Sequence, residues 1–286
     1  MNTRRVRESL WAAALLLPSV AVFVAFFFYP LYRLVVLGLH QQNRFGTTNR
    51  YVGLSQFRDV LTGDEFRSGL WITVQFVLLT VPLGLVLGIL LAVAANRRLR
   101  GIKIFHTIFA STVASSVAVT SVIFLMLINP QIGYFGDVPF FSLSNPHTAL
   151  RGVALSSVWE NLGLTFIIVL AALQAIPDEI NEAAVLDGYG PLRKLWKITL
   201  PLISPSLMFL TVVLVIFGFQ AFGQIDIITG GGPAGATQTV VYKIFNSQQP
   251  IAQGRGAVMA VGLFGVTFLV SLAQLALLER RVHYGN

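Results

Sequence analysis

Five polar side chains sit where an apolar sequence can least accommodate them. Glu160 and Asn161 follow Trp159 inside one greasy run, Gln220 follows Phe217 near the end of another, Asp226 lies just beyond it, and Arg33 falls near the end of the first. An ionised carboxylate at the centre of a bilayer-spanning helix costs about 2.5–3.5 kcal/mol on insertion scales, so such groups point to a solute path. Carboxylates and amides bind hydroxyls, and Trp159, Phe217 and Phe222 offer flat faces for sugar-like CH surfaces. At 1.5 Å per residue, Glu160 lies roughly 22 Å from Ala175 and Gln220 roughly 27 Å from Leu202, which puts both in the outer third of their runs. The sequence leaves open whether Glu160 instead faces external water or pairs with a neighbouring helix. Enzymatic chemistry has less support. His40, His106, His147 and His283 show no metal-ligand spacing, cysteine is absent, and no Gly-x-Ser-x-Gly, His-Glu-x-x-His or Walker motif occurs.

The elements that must position these residues follow from composition. The chain has 286 residues, of which 55% are hydrophobic and 11% charged. A soluble domain is usually about 25% charged, so most of this surface cannot face water. Six apolar runs, near 10–38, 70–96, 104–128, 152–175, 202–225 and 257–278, approach or exceed the roughly 20 residues that span a hydrocarbon core. Backbone groups in lipid must be paired within the chain, and the runs are continuously apolar rather than alternating, which favours helices over a barrel. The expected fold is an all-α polytopic membrane protein with six transmembrane helices, residues 1–286 forming a single transmembrane domain. The first run outlasts a signal-peptide core and is expected to remain as a span.

Orientation follows from Lys and Arg. Arg4, Arg5 and Arg7 precede the first run. Arg97, Arg98, Arg100 and Lys103 fill the short second connection, Arg193, Lys194 and Lys197 the fourth, and Arg280 and Arg281 follow the last run. The other connections carry a sparser set that includes Arg44. Both termini are therefore expected in the cytoplasm. The net charge of +8 is accounted for by basic inward loops near anionic lipid and needs no nucleic acid. Among the external loops, "YVGLSQF" (51–57) suits either an amphipathic element on the membrane surface or an ordinary loop, and "TGGGPAGATQT" (229–239) reads as a tight turn rather than a phosphate cradle.

One segment departs from this pattern. Residues 176–201 concentrate acids and bases in "NEAAVLDGYGPLRKLWKITLP". Pro177-Asp178-Glu179 suits a helix start, since proline fits the first turn and acids oppose the positive end of the dipole. Gly188 and Gly190-Pro191 then end a helix over 178–187, and a second follows over 191–199. The expectation is a cytoplasmic helix-turn-helix between the fourth and fifth spans. Ala183, Ala184 and Gly188 form its small surface, and Leu186, Leu192, Leu195 and Trp196 its apolar anchors.

These residues carry a resemblance. Glu182-Ala183-Ala184, Asp187-Gly188, Ile198, Leu200-Pro201 and Pro205 match, at each spacing, the "EAA…DG…I-LP…P" motif of binding-protein-dependent ATP-binding-cassette importer permeases. "YVGLSQF", "ALQAIP", "TGGGP" and the ending "LLERRVHYG" resemble the carbohydrate-uptake permeases, the maltose and glycerol-3-phosphate group. The chain looks closer to the compact glycerol-3-phosphate version, without the large external insertion and extra spans of the maltose-type subunit. The resemblance implies a multi-pass permease of the prokaryotic cytoplasmic (inner) membrane. Glu182, Ala183, Ala184, Asp187, Gly188, Ile198, Leu200 and Pro201 would couple it to an ATPase dimer that binds ATP and Mg, this chain holding no cofactor. A second homologous permease and an extracytoplasmic solute-binding protein complete the implied assembly. Glycerol-3-phosphate or a glycerophosphodiester is the implied solute. A neutral mono- or oligosaccharide and, in a different class, an ion-coupled secondary carrier are the alternatives.

Overall fold

The computed structural model describes residues 3–43, 45, 49–96 and 100–279. Arg44, Arg97, Arg98, Arg280 and Arg281, and with them most of the C-terminal "ERRVHYG", lie outside the described residues. The chain divides into two compact units, Met1–Arg67 with Ile244–Phe264, and Ser68–Lys243 with Gly265–Asn286.

The first unit begins with α1 (Thr3–Phe23), which continues through a π-helical turn (Val24–Phe28) into α2 (Tyr29–Gly38). An antiparallel pair follows, β1 (His40–Gln42) and β2 (Asn49–Tyr51), in the register His40↔Tyr51, Gln41↔Arg50, Gln42↔Asn49. The chain is therefore not wholly α. His40 sets its ring edge-on to Tyr51, with centroids 5.4 Å apart, a cross-strand contact of the kind that stabilises a short pair. Helix α3 (Ser55–Leu61) then turns Phe57 toward Gly38, where a side chain would come within 2.9 Å of its ring. Tyr51 and Leu54 instead stay exposed, so the apolar residues of "YVGLSQF" do not share one surface-facing side. Val60, Phe66, Ala257, Val258 and Met259 are buried here.

Helix α4 (Asp64–Ala95) runs into the second unit, as does the last helix, α14 (Gln253–Glu279). The second unit adds α5 (Ile102–Ala110) with a 3-10 turn (Ser111–Ala114), α6 (Val117–Ile128) and α7 (Ala149–Gln174). After it come α8 (Asp178–Leu186), α9 (Pro191–Lys194) with a π turn (Leu195–Thr199), α10 (Leu200–Leu202), α11 (Ser204–Phe219), α12 (Gly223–Thr229) and α13 (Val240–Asn246), whose last three residues belong to the first unit. Helix α7 is the most enclosed, buried on nearly every side. Near its start Val153 and Ala154 join Phe76, Ile225, Ile228 and Tyr242 in one apolar cluster. Near its end Phe166, Val169, Leu170 and Leu173 join Ala92, Ala95, Ile203 and Leu210 in another. Helix α4 reaches α7 closely because Gly88 has no side chain, as a Cβ there would collide with Thr165.

Among the described residues, four continuous helices are long and apolar enough to cross a membrane, Trp11–Gly38, Asp64–Ala95, Ala149–Gln174 and Pro250–Leu278. The remaining two expected spans are broken. Ile102–Ala114 and Val117–Ile128 meet at 105°, and Pro191–Leu202 and Ser204–Phe219 at 72°. At the first break Ser115 and Ser116 are extended, and the Ser116 hydroxyl accepts from the Val119 N–H to start a new helix. At the second, Pro205 has no N–H to bond the Pro201 carbonyl four residues back. The run 202–225 also ends as regular helix at Phe219, and α12 restarts after Phe222.

Candidate functional site

Between the two apolar clusters of α7 lies a polar patch. Ser157, Glu160 and Asn161 are spaced so that one helical face carries all three. They line a cavity of about 380 Å³ whose other walls come from α4 (Phe76, Thr80, Gly84), the start of α6 (Val117), the end of α11 (Phe217, Gln220) and the start of α12 (Phe222, Gln224). It thus sits where α6 and α12 begin and α11 ends. Irregular backbone inside a span is tolerated only where protein or a water-filled space satisfies its free groups.

The hydrogen bonds fix the wall. Gln224, 8% exposed, donates from Nε2 to Glu160 Oε2 at 2.8 Å. Asn161 Nδ2 donates to the Ser157 carbonyl at 2.9 Å. Ser157 Oγ is buried and has no partner. A buried hydroxyl without a partner costs roughly 1–3 kcal/mol, which makes it a candidate contact for something that enters.

The structure brings together Glu160, Asn161, Phe217 and Gln220, with Phe222 beside them. Trp159 points elsewhere and packs its ring 6.0 Å from that of Phe124. Asp226 is exposed on α12 and does not line the cavity, because the break after Phe219 takes it off the line of α11. Arg33 belongs to the first unit, where it is exposed and donates to the Tyr29 hydroxyl at 3.3 Å. Gln224, Ser157 and Thr80 were not expected from the sequence. The spacing of Ser157 from Glu160 and Asn161 was the available signal for one of them. Gln224 gave none, since its partner lies 64 residues away.

The second candidate is the charged segment. Helix α8 starts at Asp178 after Pro177, as the acids and the proline require, and ends at Leu186 with Asp187 as its C-cap. The Tyr189 N–H bonds the Ala184 carbonyl and the Gly188 N–H the Val185 carbonyl, both at 3.0 Å, the pair of bonds of a Schellman cap. Gly188 makes that cap with φ at +72°, a conformation that L side chains adopt only at a cost. Arg193 then lies over the Tyr189 ring, 4.8 Å from its centroid. Ala184 is buried within the chain while Ala183 is exposed, so only part of the expected small surface is free. Glu182 and Asp187 are exposed, and Ile198, Leu200 and Pro201 are half-buried. Val185, Leu186, Leu192 and Trp196 are 66%, 88%, 73% and 69% exposed. Large apolar groups this exposed beside charged residues make a surface suited to a protein partner.

Residues 84–284 match the family described as "Binding-protein-dependent transport system inner membrane component". The chain is 33% identical over 279 residues to the sn-glycerol-3-phosphate transport system permease protein UgpA of Agrobacterium fabrum, covering 95% of each. To the protein of that name from Yersinia pestis it is 32% identical over 278 residues, 94% of each. Among solved structures, it is similar to a chain of a bacterial alginate ABC transporter in complex with an alginate pentasaccharide-bound periplasmic protein. The TM-score is 0.80, with 21% identity over 97% of this chain and 96% of that one. A chain of the MetNI methionine ABC transporter in inward-facing conformations gives a TM-score of 0.56 at 14% identity, over 76% of this chain and 96% of that one.

Proposed function

This chain belongs to the binding-protein-dependent transport system inner membrane components, and from that footing we propose that it lines half of the path by which an ATP-driven importer moves a sugar-like solute. It is the membrane-spanning permease of such a system, a multi-pass helical protein and not an enzyme. The observation that carries the mechanism is the Gly188-capped segment. It presents Val185, Leu186 and charged neighbours outside the packed helices, in the form needed to receive a push from a partner. Residues 1–286 act as one transmembrane domain with both termini in the cytoplasm. ATP and Mg are held by a separate ATPase dimer, a second similar permease supplies the other half of the path, and a solute-binding protein delivers from outside.

The cavity at Glu160 is the solute station of this half. The UgpA relatives favour glycerol-3-phosphate or a glycerophosphodiester. The wall's lack of a cationic side chain among the described residues favours a neutral mono- or oligosaccharide as the second reading. The test is purification of the tagged chain from its native membrane in mild detergent, with mass spectrometry of what accompanies it. A stoichiometric P-loop ATPase and a second permease are expected, and the reconstituted complex should take up glycerol-3-phosphate only with ATP and binding protein. A chain that comes out alone and moves solute under an ion gradient would overturn the proposal.

A further inference from the structure

The walls of the Glu160 cavity set one carboxylate among neutral amides and hydroxyls. Glu160 supplies a carboxylate, and no Lys, Arg or His is among the described residues that line the space. Of the three amides in the wall, Gln224 commits one N–H to Glu160 and Asn161 one to the Ser157 carbonyl. Each amide keeps its carbonyl oxygen as an acceptor and at least one N–H as a donor. Ser157 Oγ, on a residue 3% exposed, has no partner and can accept or donate. The start of α6 reaches the wall at Val117, but its Val119 N–H is already taken by Ser116 Oγ. Two helix starts and one helix end meet the cavity, each bringing about half an elementary charge and the end opposing the starts, so together they fall short of the charge an ionised Glu160 carries.

A ligand suited to such a wall must donate to the carboxylate and accept from the amides. A hydroxyl does so and tolerates a carboxylate. An ionised phosphate brings mainly acceptors, and would set a like charge a few ångströms from an ionised Glu160. Phe217 and Phe222 complete the fit with faces for CH groups. We propose that this cavity takes the hydroxyl-bearing end of the solute and turns oxyanions away, so that any phosphate the solute carries is held elsewhere in the assembly. The proposal rests on the transport reading given above.

The chain has no cysteine, which allows a direct test. Gly84 lines the cavity and nothing lies within 4 Å of the place its Cβ would take, so G84C sets one thiol in the wall. In the complete transporter, labelling of this chain by a small methanethiosulfonate is timed with glycerol, glycerol-3-phosphate or inorganic phosphate present. Glycerol and glycerol-3-phosphate should slow labelling, by about tenfold at ten times the dissociation constant. Inorganic phosphate should leave the rate unchanged, and E160A in the same background should abolish the protection. Protection by inorganic phosphate, no protection by either hydroxylated probe, or protection that survives E160A would each overturn the proposal. Q220C, on an exposed residue of the same wall, serves as reporter if G84C does not assemble. Persistent protection in a complex that shows no ATP-driven uptake would strike the transport reading and leave the chemistry of the cavity standing.

Discussion

Around Gly188 every residue of interest lies within one stretch of chain, 177–205, while the walls of the Glu160 cavity come from five helices spread over residues 76–224. The first region is built from local rules, a proline and acids to start a helix and a glycine to end it. The second exists only because long helices pack and two of them break at its level. One change inside the first should therefore act through the backbone, and one inside the second through contacts between distant elements.

The largest expected effect comes from Gly188→Val. A β-branched residue in the left-handed region costs about 1–2 kcal/mol, all of it at the turn. We expect membrane levels to hold and ATP-driven uptake to be lost; uptake at the normal rate would end the coupling assignment. Next is Gly88→Leu, far from that turn. Forcing a side chain against Thr165 should cost about 1–3 kcal/mol. It should appear as a lower melting temperature of the purified chain, and an unchanged one would mean that the approach of α4 to α7 is not tight.

A double-mutant cycle with E160A and Q224A tests whether the cavity acts as one assembly. Their hydrogen bond should give a coupling of about 1–2 kcal/mol in stability, whereas strict additivity would show the two residues acting independently. The smallest effect is expected for Thr73→Val. It removes the hydroxyl that accepts from the Val240 N–H at 3.1 Å, worth about 1 kcal/mol. Faster amide exchange at Val240 with uptake intact would separate the contact of α4 with α13 from both regions, and lost uptake would tie it to one.

The same contrast explains how much could be read beforehand. The start of α8 at Asp178 and the turn at Gly188 were legible because proline, acid and glycine act on their immediate neighbours. The apolar runs were legible because lipid demands length. Hydropathy, however, says nothing about direction. Ser115-Ser116 looks like two small residues in a greasy run, yet the chain turns there by 105°, and α11 stops at Phe219 with no proline to announce it. Breaks of this kind took Asp226 out of the site and brought Gln224 in. Trp159 was misplaced for a related reason, since which face of a buried helix meets a cavity is decided by its neighbours.

The cap at Gly188 has a mechanical consequence. A linkage is only as good as its backlash, the travel lost before the far end moves. Two main-chain bonds close the turn onto α8, and the Arg193 guanidinium lies on the Tyr189 ring across it, so little slack remains between Leu186 and the start of α9. Under the proposed coupling, a displacement of Leu186 by a partner should therefore reach Pro191 nearly undiminished, and a short stroke there should suffice to move the helices that follow.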